Sequence, residues 1–260
     1  CGDITESETL WFNYFLPNMV PGLTMWLSAD SVQANNNAVS LWYDQSGSEF
    51  NLTQATTSRQ PVLVNNALNG KPVLRFNGDY MQVDFGQTFA QPNTIFTVFN
   101  NVATTNNQYV YAGGHAKSYT SSNEIWMWTT AVATHITVPY TPNGAYNLHT
   151  DVWNKSSAKS YINANLKVTG NVGTGELSTF TVGSTSSATQ YFMNGNIAEM
   201  IFYNGLLSDN ERQLVENYLM DKYTPRLDLG PDMYMEYGFC VENLSVHPDF
   251  QEVQWSTGES

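Results

Sequence analysis

Leu23-Thr24-Met25-Trp26-Leu27-Ser28-Ala29-Asp30 near one end of the chain and Asn194-Gly195-Asn196-Ile197-Ala198-Glu199-Met200-Ile201-Phe202-Tyr203 near the other decide how it reads. Both are apolar runs of strand length, and the sequence between them has the same texture. Short apolar or aromatic runs alternate with Gly, Pro, Asn, Asp and Ser, the pattern of an all-β chain. The predicted strands are Leu23–Ala29, Val39–Tyr43, Val73–Phe76, Tyr80–Asp84, Ile95–Asn100, Gln108–Ala112, Glu124–Trp128, Tyr146–Trp153, Lys159–Asn163, Leu166–Thr169, Thr179–Gly183 and Asn196–Tyr203. Asn163-Ala164-Asn165 reads as a hairpin turn, because Asn tolerates positive φ. One helix follows. Ser208 caps it, Glu211 completes a capping box three residues on, and Leu214, Val215, Tyr218 and Leu219 recur at helical spacing to dock on the strands. It ends near Tyr223, before Pro225.

More residues join these two runs. Trp42-Tyr43-Asp44-Gln45-Ser46-Gly47, Gln60-Pro61 and Asn69-Gly70-Lys71-Pro72-Val73-Leu74-Arg75-Phe76 follow the first, while Leu207-Ser208-Asp209-Asn210-Glu211-Arg212 and Tyr218-Leu219 follow the second. In this order and spacing, over Gly22 to Tyr223, the set resembles the laminin-G-like, concanavalin A-like domains of bacterial surface adhesins. The resemblance implies an antiparallel two-sheet jelly-roll sandwich with one peripheral C-terminal helix. It says less about function, because that fold hosts lectins, adhesins, glycan hydrolases and inert spacers. Beyond Pro225, Leu229-Gly230-Pro231-Asp232 and Trp255-Ser256-Thr257-Gly258 resemble the opening half of the Ig-like repeats of gliding and type IX secretion adhesins. An Ig-like sandwich needs about 100 residues, so residues 225–260 are read as an incomplete Ig-like β segment. The expected organisation is a lead-in over 1–21, a jelly-roll domain over 22–224 and this partial domain.

Composition narrows the partners. Twenty-three acidic against ten basic residues give a net charge of −13, with no basic run, which excludes nucleic acid. Charged residues are only 13 % of the 260 and aromatic residues an equal 13 %, a profile that suits an extracellular β-protein whose solubility rests on Asn, Gln, Ser and Thr. No segment reaches the ~20 apolar residues of a membrane span; Leu10–Leu16 is apolar but far too short. The two cysteines, Cys1 and Cys240, have neither zinc nor redox spacing. Cys1 has three readings that stand side by side: the lipid-anchor site of a lipoprotein, a disulfide to Cys240, or a domain cut.

Catalytic templates are hard to find. Hydrolases of this broad fold carry an E-x-D-x-x-E strand that aligns carboxylates on one face. Neither Glu124-Ile125-Trp126-Met127-Trp128 nor Ile197–Ile201 around Glu199 has the acidic partners. There is no G-x-S-x-G elbow, His115, His135, His149 and His247 show no partner spacing, and Gly113-Gly114-His115 lacks the Lys-Ser/Thr of a phosphate loop. Trp42, Asp44, Ser46 and Gly47 read as an architectural turn, and Arg75 and Glu199 as a charge pair inside the sandwich.

Aromatic residues remain. Sugars present apolar C–H faces that stack on Trp and Tyr, so Tyr109, Tyr111, Trp126, Trp128 and Tyr140 are the candidate ligand-binding residues, with a buried aromatic core as the alternative. Trp126 and Trp128 are two apart and share one face of a strand. Asn35-Asn36-Asn37 and Asn106-Asn107 serve recognition or only turn the chain. The family resemblance also implies Ca²⁺, for which Asp30, Asp44 and Asp79, and beyond them Asp84 and Asp151, are the loop-adjacent candidates. The expectation is a non-enzymatic, secreted or cell-surface adhesion module that binds glycan or protein partners through its loops. The alternative is a structural spacer or filament subunit that self-associates, and behind both stands a glycan hydrolase or lyase.

Overall fold

A computed structural model describes residues 15–101, 107–119, 124–129, 134–140 and 144–224. Cys1, Cys240, most of the lead-in and the Ig-like segment 225–260 lie outside the described residues. The described strands are β1 (Leu23–Asn35), β2 (Ala38–Asp44), β3 (Leu52–Thr53), β4 (Val62–Leu68), β5 (Lys71–Asn77), β6 (Met81–Ala90), β7 (Asn93–Asn101), β8 (Gln108–Ala112), β9 (His115–Tyr119), β10 (Ile125–Thr129), β11 (His135–Val138), β12 (Asn147–Trp153), β13 (Ala158–Ile162), β14 (Asn165–Gly170), β15 (Glu176–Val182) and β16 (Asn194–Tyr203). The helix α1 spans Asp209–Tyr223. The described residues are therefore mostly β with a helix after the last strand, and each of the twelve predicted strands overlaps an observed one.

The expected pair of separate sheets does not describe the pairing. Strands bond in the continuous antiparallel order β11-β10-β9-β8-β15-β6-β3-β2-β4-β5-β16-β7-β12-β13-β14, and β1 pairs with both β16 and β2. The first half of β1, Leu23–Ser28, lies along β16. Its register to β2 breaks between Leu27 and Val32, and Val32–Asn35 then runs beside β2. A strand of 13 residues with such a break can turn a corner and serve two neighbours. It thereby closes β1, β2, β4, β5 and β16 into a ring.

Turns are chosen by residues that accept a left-handed backbone. Asn36 and Asn37 (φ 49° and 67°), Asn69 and Gly70 (47° and 71°), and Asn163 and Ala164 (50° and 62°) each form a two-residue hairpin, which favours positive φ at both positions. Asn35-Asn36-Asn37 thus turns the chain between β1 and β2.

Strands β7 and β16 are buried almost end to end because they are covered on both faces. On one side Ile95, Phe99, Ile197, Met200 and Phe202 join Met25, Leu27, Trp42, Phe76, Met81 and Phe180 in the main core. On the other, Phe96, Val98, Ile201 and Tyr203 join Trp26, Val215, Leu219 and Tyr223 beneath the helix. The described end of the lead-in packs here too: Val20 is buried, and the Tyr203 hydroxyl donates to the Pro17 carbonyl at 2.8 Å.

The helix starts on the expected capping box. The Glu211 amide donates to Ser208 Oγ at 3.3 Å, and the Ser208 amide to Glu211 Oε2 at 2.8 Å. Its buried stripe is shifted from the expected one. Arg212, Val215, Glu216, Leu219 and Tyr223 face the sheet, while Leu214 is 46 % exposed. The displaced stripe follows its polar contacts: Thr150 donates to Glu216 at 2.8 Å, Arg212 pairs with Glu216, and the Arg212 guanidinium lies 4.0 Å over the Tyr161 ring.

Glu199 is fully buried under this helix, and it is not paired with Arg75. Its carboxylate accepts from Trp26 Nε1 at 2.7 Å, Tyr218 Oη at 3.0 Å, Lys222 Nζ at 2.7 Å and Tyr223 Oη at 2.7 Å. Arg75 is exposed and meets Asn196 Oδ1 at 3.4 Å. The register explains the correction. Arg75 lies opposite Asn196, and a bulge between Ile197 and Glu199 places Glu199 on the helix side. Because Glu199 ties β1, β16 and α1 together, Glu199→Ala should lower unfolding stability by about 3 kcal/mol or more in urea titrations. Ser208→Ala should cost only about 1 kcal/mol.

Candidate functional site

Strand β10 alternates cleanly. Ile125, Met127 and Thr129 are buried, while Trp126 and Trp128 point to the other face and are half-buried. Their cross-strand neighbours share that outer face: Trp126 lies between Ser118 and Thr137, and Trp128 between Ala116 and His135. Tyr109 of β8 is opposite Ser118, so it joins them. The rings form a ledge. Trp126 stacks on His135 with centroids 4.0 Å apart, and Trp128 meets Tyr109 edge-on at 6.0 Å. Tyr109 is nearly parallel to Tyr191 at 6.0 Å. Indole donors are anchored sideways, Trp128 Nε1 to Ser118 Oγ at 3.3 Å and Trp126 Nε1 to Glu124 Oε2 at 3.2 Å, which fixes the two half-buried rings. Partial burial, and then Tyr191, raise the Tyr109 hydroxyl above its ordinary pKa, so it remains a neutral donor.

The outer face continues past β8 along β15, β6 and β3. There Asn51, Thr53, Gln82, Asp84, Thr179, Thr181 and Ser186 border an open groove of about 420 Å³. Its hydroxyls, amides and one carboxylate give a dense set of donors and acceptors beside the aromatic ledge.

Not all the predicted ligand residues gather. A register break between Tyr109 and Tyr111 turns Tyr111 inward, where it is fully buried. It offers no face to a ligand; its hydroxyl donates to Asp151 Oδ2 at 2.8 Å, and burial followed by the Asp151 charge holds its pKa well above ordinary. Tyr140 packs edge-on to His149 at 5.2 Å and bonds Asn147. Sequence reasoning missed Tyr191 and His135, which no local pattern marks.

Beneath the ledge lies a second group that the sequence did not disclose. Lys117 of β9 and Asp151 of β12 are both fully buried, with Nζ 2.7 and 2.8 Å from the two carboxylate oxygens. Ser160 Oγ donates to Asp151 at 2.9 Å. His149, two residues before Asp151 on the same face, is fully buried with both ring nitrogens unpartnered. His115 stacks on Trp153 at 4.7 Å and bonds Asn93 at 2.7 Å. Gly113-Gly114 is the tight turn leading into β9; a Cβ on Gly114 would meet the Glu176 carbonyl at 1.7 Å.

The aspartates expected to bind Ca²⁺ do not fit the ion. Asp44 already accepts from Trp26 N, Ser46 N, Ser46 Oγ and Phe50 N at 2.8–3.0 Å, in a turn where Gly47 has φ +91° and Trp42 is buried alongside. Asp30 lies 3.2 Å from Lys222, and Asp79 accepts from Asn77 N. Asp84 accepts from Gly86 N, and Asp151 is bound to Lys117. Among the described residues, no three His, Cys, Asp or Glu side chains converge as a metal site.

No family model and no curated protein matches the chain. Solved structures do. Trypanosoma rangeli sialidase aligns with a TM-score of 0.56 at 13 % identity, over 78 % of this chain and 33 % of its own. Domain 4 of AbnA, a GH43 extracellular arabinanase from Geobacillus stearothermophilus solved with arabinotriose, aligns at 0.53 and 18 %, over 75 % of this chain and 97 % of that one. The binding domain of Paraclostridial Mosquitocidal Protein 1 gives 0.58 and 11 %, over 79 % and 54 %. The chain spans about a third of the sialidases it matches. At these identities the likeness is one of β-rich fold alone, and none of the three is a laminin-G domain by name. It does correct one expectation: a third of the sialidase chain aligns with this one, so the exclusion of an enzymatic role that was read from sequence is withdrawn.

The buried histidines make stability pH-dependent. Desolvation lowers His115 from 6.5 to about 4, and His149 well below its ordinary value, with Lys117 adding to the shift. The unfolded chain then binds more protons than the folded one between about pH 6.5 and pH 4. Their contribution to stability is complete above 6.5 and is lost as pH falls through that window. Urea titrations from pH 7 to 4.5 should show this decline, at most about 1.4 kcal/mol per pH unit for each histidine. His115→Gln, which can still bond Asn93, should remove its share of the decline and leave that of His149.

Proposed function

We propose that the outer face of β8–β11, with the adjoining groove of β3, β6 and β15, is a glycan-binding surface. The observation that carries the reading is the gathering of Tyr109, Trp126, Trp128 and Tyr191 on one face, next to a groove lined by hydroxyls and amides. Rings fixed by side anchors lose little entropy on binding and present apolar faces to sugar C–H groups. Gln82, Asn51, Asp84 and the threonines then exchange hydrogen bonds with the hydroxyls. Aromatic residues buried for stability would sit on the inner face, as Tyr111 does; these four do not.

The remainder of the reading follows the sequence resemblance. Residues 22–224 are a concanavalin A-like, laminin-G-like module, the sequence after 225 reads as the opening of an Ig-like domain, and the whole belongs to a surface or secreted adhesion protein outside the cell. The arabinanase domain solved with arabinotriose supports the ligand class by analogy of fold. An open face of this kind binds single sugars weakly, so repeated presentation on a surface would supply avidity.

A glycan array probed with the purified chain should give a defined set of hits, unchanged by chelator. Trp126→Ala and Trp128→Ala should each weaken the best hit about tenfold or more, equivalent to about 1.4 kcal/mol, without lowering the melting temperature. A blank array with folded protein would contradict the reading.

A further inference from the structure

We propose that Lys117 and Asp151 join in an intramolecular amide bond between Nζ and Cγ. The two side chains have no exposed surface, and Nζ lies 2.7 and 2.8 Å from the two carboxylate oxygens, so the amine and the carboxyl group are in direct contact with no room between them. They come from strands that are not neighbours in the sheet: β9 is flanked by β8 and β10, and β12 by β7 and β13. Each strand is held by its own ladder, so the pair is pressed together by the fold rather than by its own attraction.

Reaction requires both groups to be uncharged, a state that one proton transfer within the buried ion pair reaches. A separated ammonium and carboxylate are costly in a medium of low polarity. Passing one proton from Nζ to Asp151 yields a neutral amine and a neutral acid. Desolvation lowers the Lys117 pKa, opposed by the Asp151 charge and hydrogen bond. The amine lone pair then adds to Cγ. The carboxyl oxygen that gains charge faces Tyr111 Oη, which donates to Oδ2 at 2.8 Å, or Ser160 Oγ, which donates to Oδ1 at 2.9 Å. Donors already aimed at such an oxygen stabilise the tetrahedral adduct without reorganisation. Collapse breaks one C–O bond, and the hydroxyl leaves with a proton from nitrogen as water. One C–N bond forms, one C–O bond breaks, one water is released, and nothing is oxidised or reduced.

The link would close a loop between residues 34 apart in sequence, and that loop holds β10 and β11 with Trp126 and Trp128. A covalent staple here would restrain the unfolded chain and hold the aromatic ledge to the strands behind it. The inference does not depend on glycan binding.

Intact-mass spectrometry of the reduced, folded 260-residue chain decides it. The expected mass is the sequence mass less one water. Trypsin should leave Phe76–Lys155 as one peptide lighter than its sequence by one water, uncut after Lys117, and further cleavage after Glu124 should leave the two pieces joined through Lys117 and Asp151. Lys117→Arg should restore the full sequence mass. A wild-type chain at full mass would overturn the proposal, and so would a water loss mapped to any other residue, such as a succinimide at an Asp. Because the wild-type mass alone can refute it, the test stands even if the variant does not fold.

Discussion

A single buried carboxylate organises one half of this molecule. Glu199 sits on a strand that is covered on both faces, and it collects donors from β1 and from the last two turns of α1. An ionised carboxylate away from water is tolerable only when its lone pairs are filled, so those four groups must be brought to it together. Trp26 and Tyr223 fulfil this while also packing in the apolar cluster under the helix. Lys222, beside Glu199 and Asp30, supplies the charge, and Ser28 fixes its position at 3.1 Å. Attachment of the helix, burial of β16 and the bend of β1 are thus parts of one arrangement.

The other half rests on alternation across a sheet. In β8 to β11 the inner face carries Ile125, Met127, Ile136 and Val138 into the core, while the outer face carries the ring ledge. The inner face also holds Lys117 and His115, unusual cargo for a core. Their presence explains why Asp151, Tyr111 and Ser160 converge there, and it leaves that region sensitive to protonation. A rigid, polar-pinned interior behind an aromatic surface is a suitable support for recognition, since a binding ring that moves loses part of its affinity to ordering.

Much of the fold was legible because most strands obey simple patterns. The strands missed from sequence are instructive. His115-Ala116-Lys117-Ser118-Tyr119 reads as polar, and only the buried partners Asp151 and Asn93 make it an inner strand. His135–Val138 and Leu52–Thr53 are too short to signal, and β4 dissolves into Asn65-Asn66. Glu199 was correctly read as buried but given the wrong partner, because a one-residue bulge reverses faces and leaves no mark in the sequence. The same effect separates Tyr109 from Tyr111. Trp126 and Trp128 were legible as a same-face pair, whereas Tyr191 reaches them from a distant loop, a proximity only tertiary structure creates.

The central claim is that the ring ledge contacts sugar, and indole N–H signals in a two-dimensional ¹⁵N NMR titration with an oligosaccharide hit address it directly. The account predicts that Trp126 and Trp128 shift with saturating dependence on ligand, while the buried Trp26, Trp42 and Trp153 stay in place. Saturable binding that leaves Trp126 and Trp128 unmoved, or that shifts only the buried indoles, would contradict it.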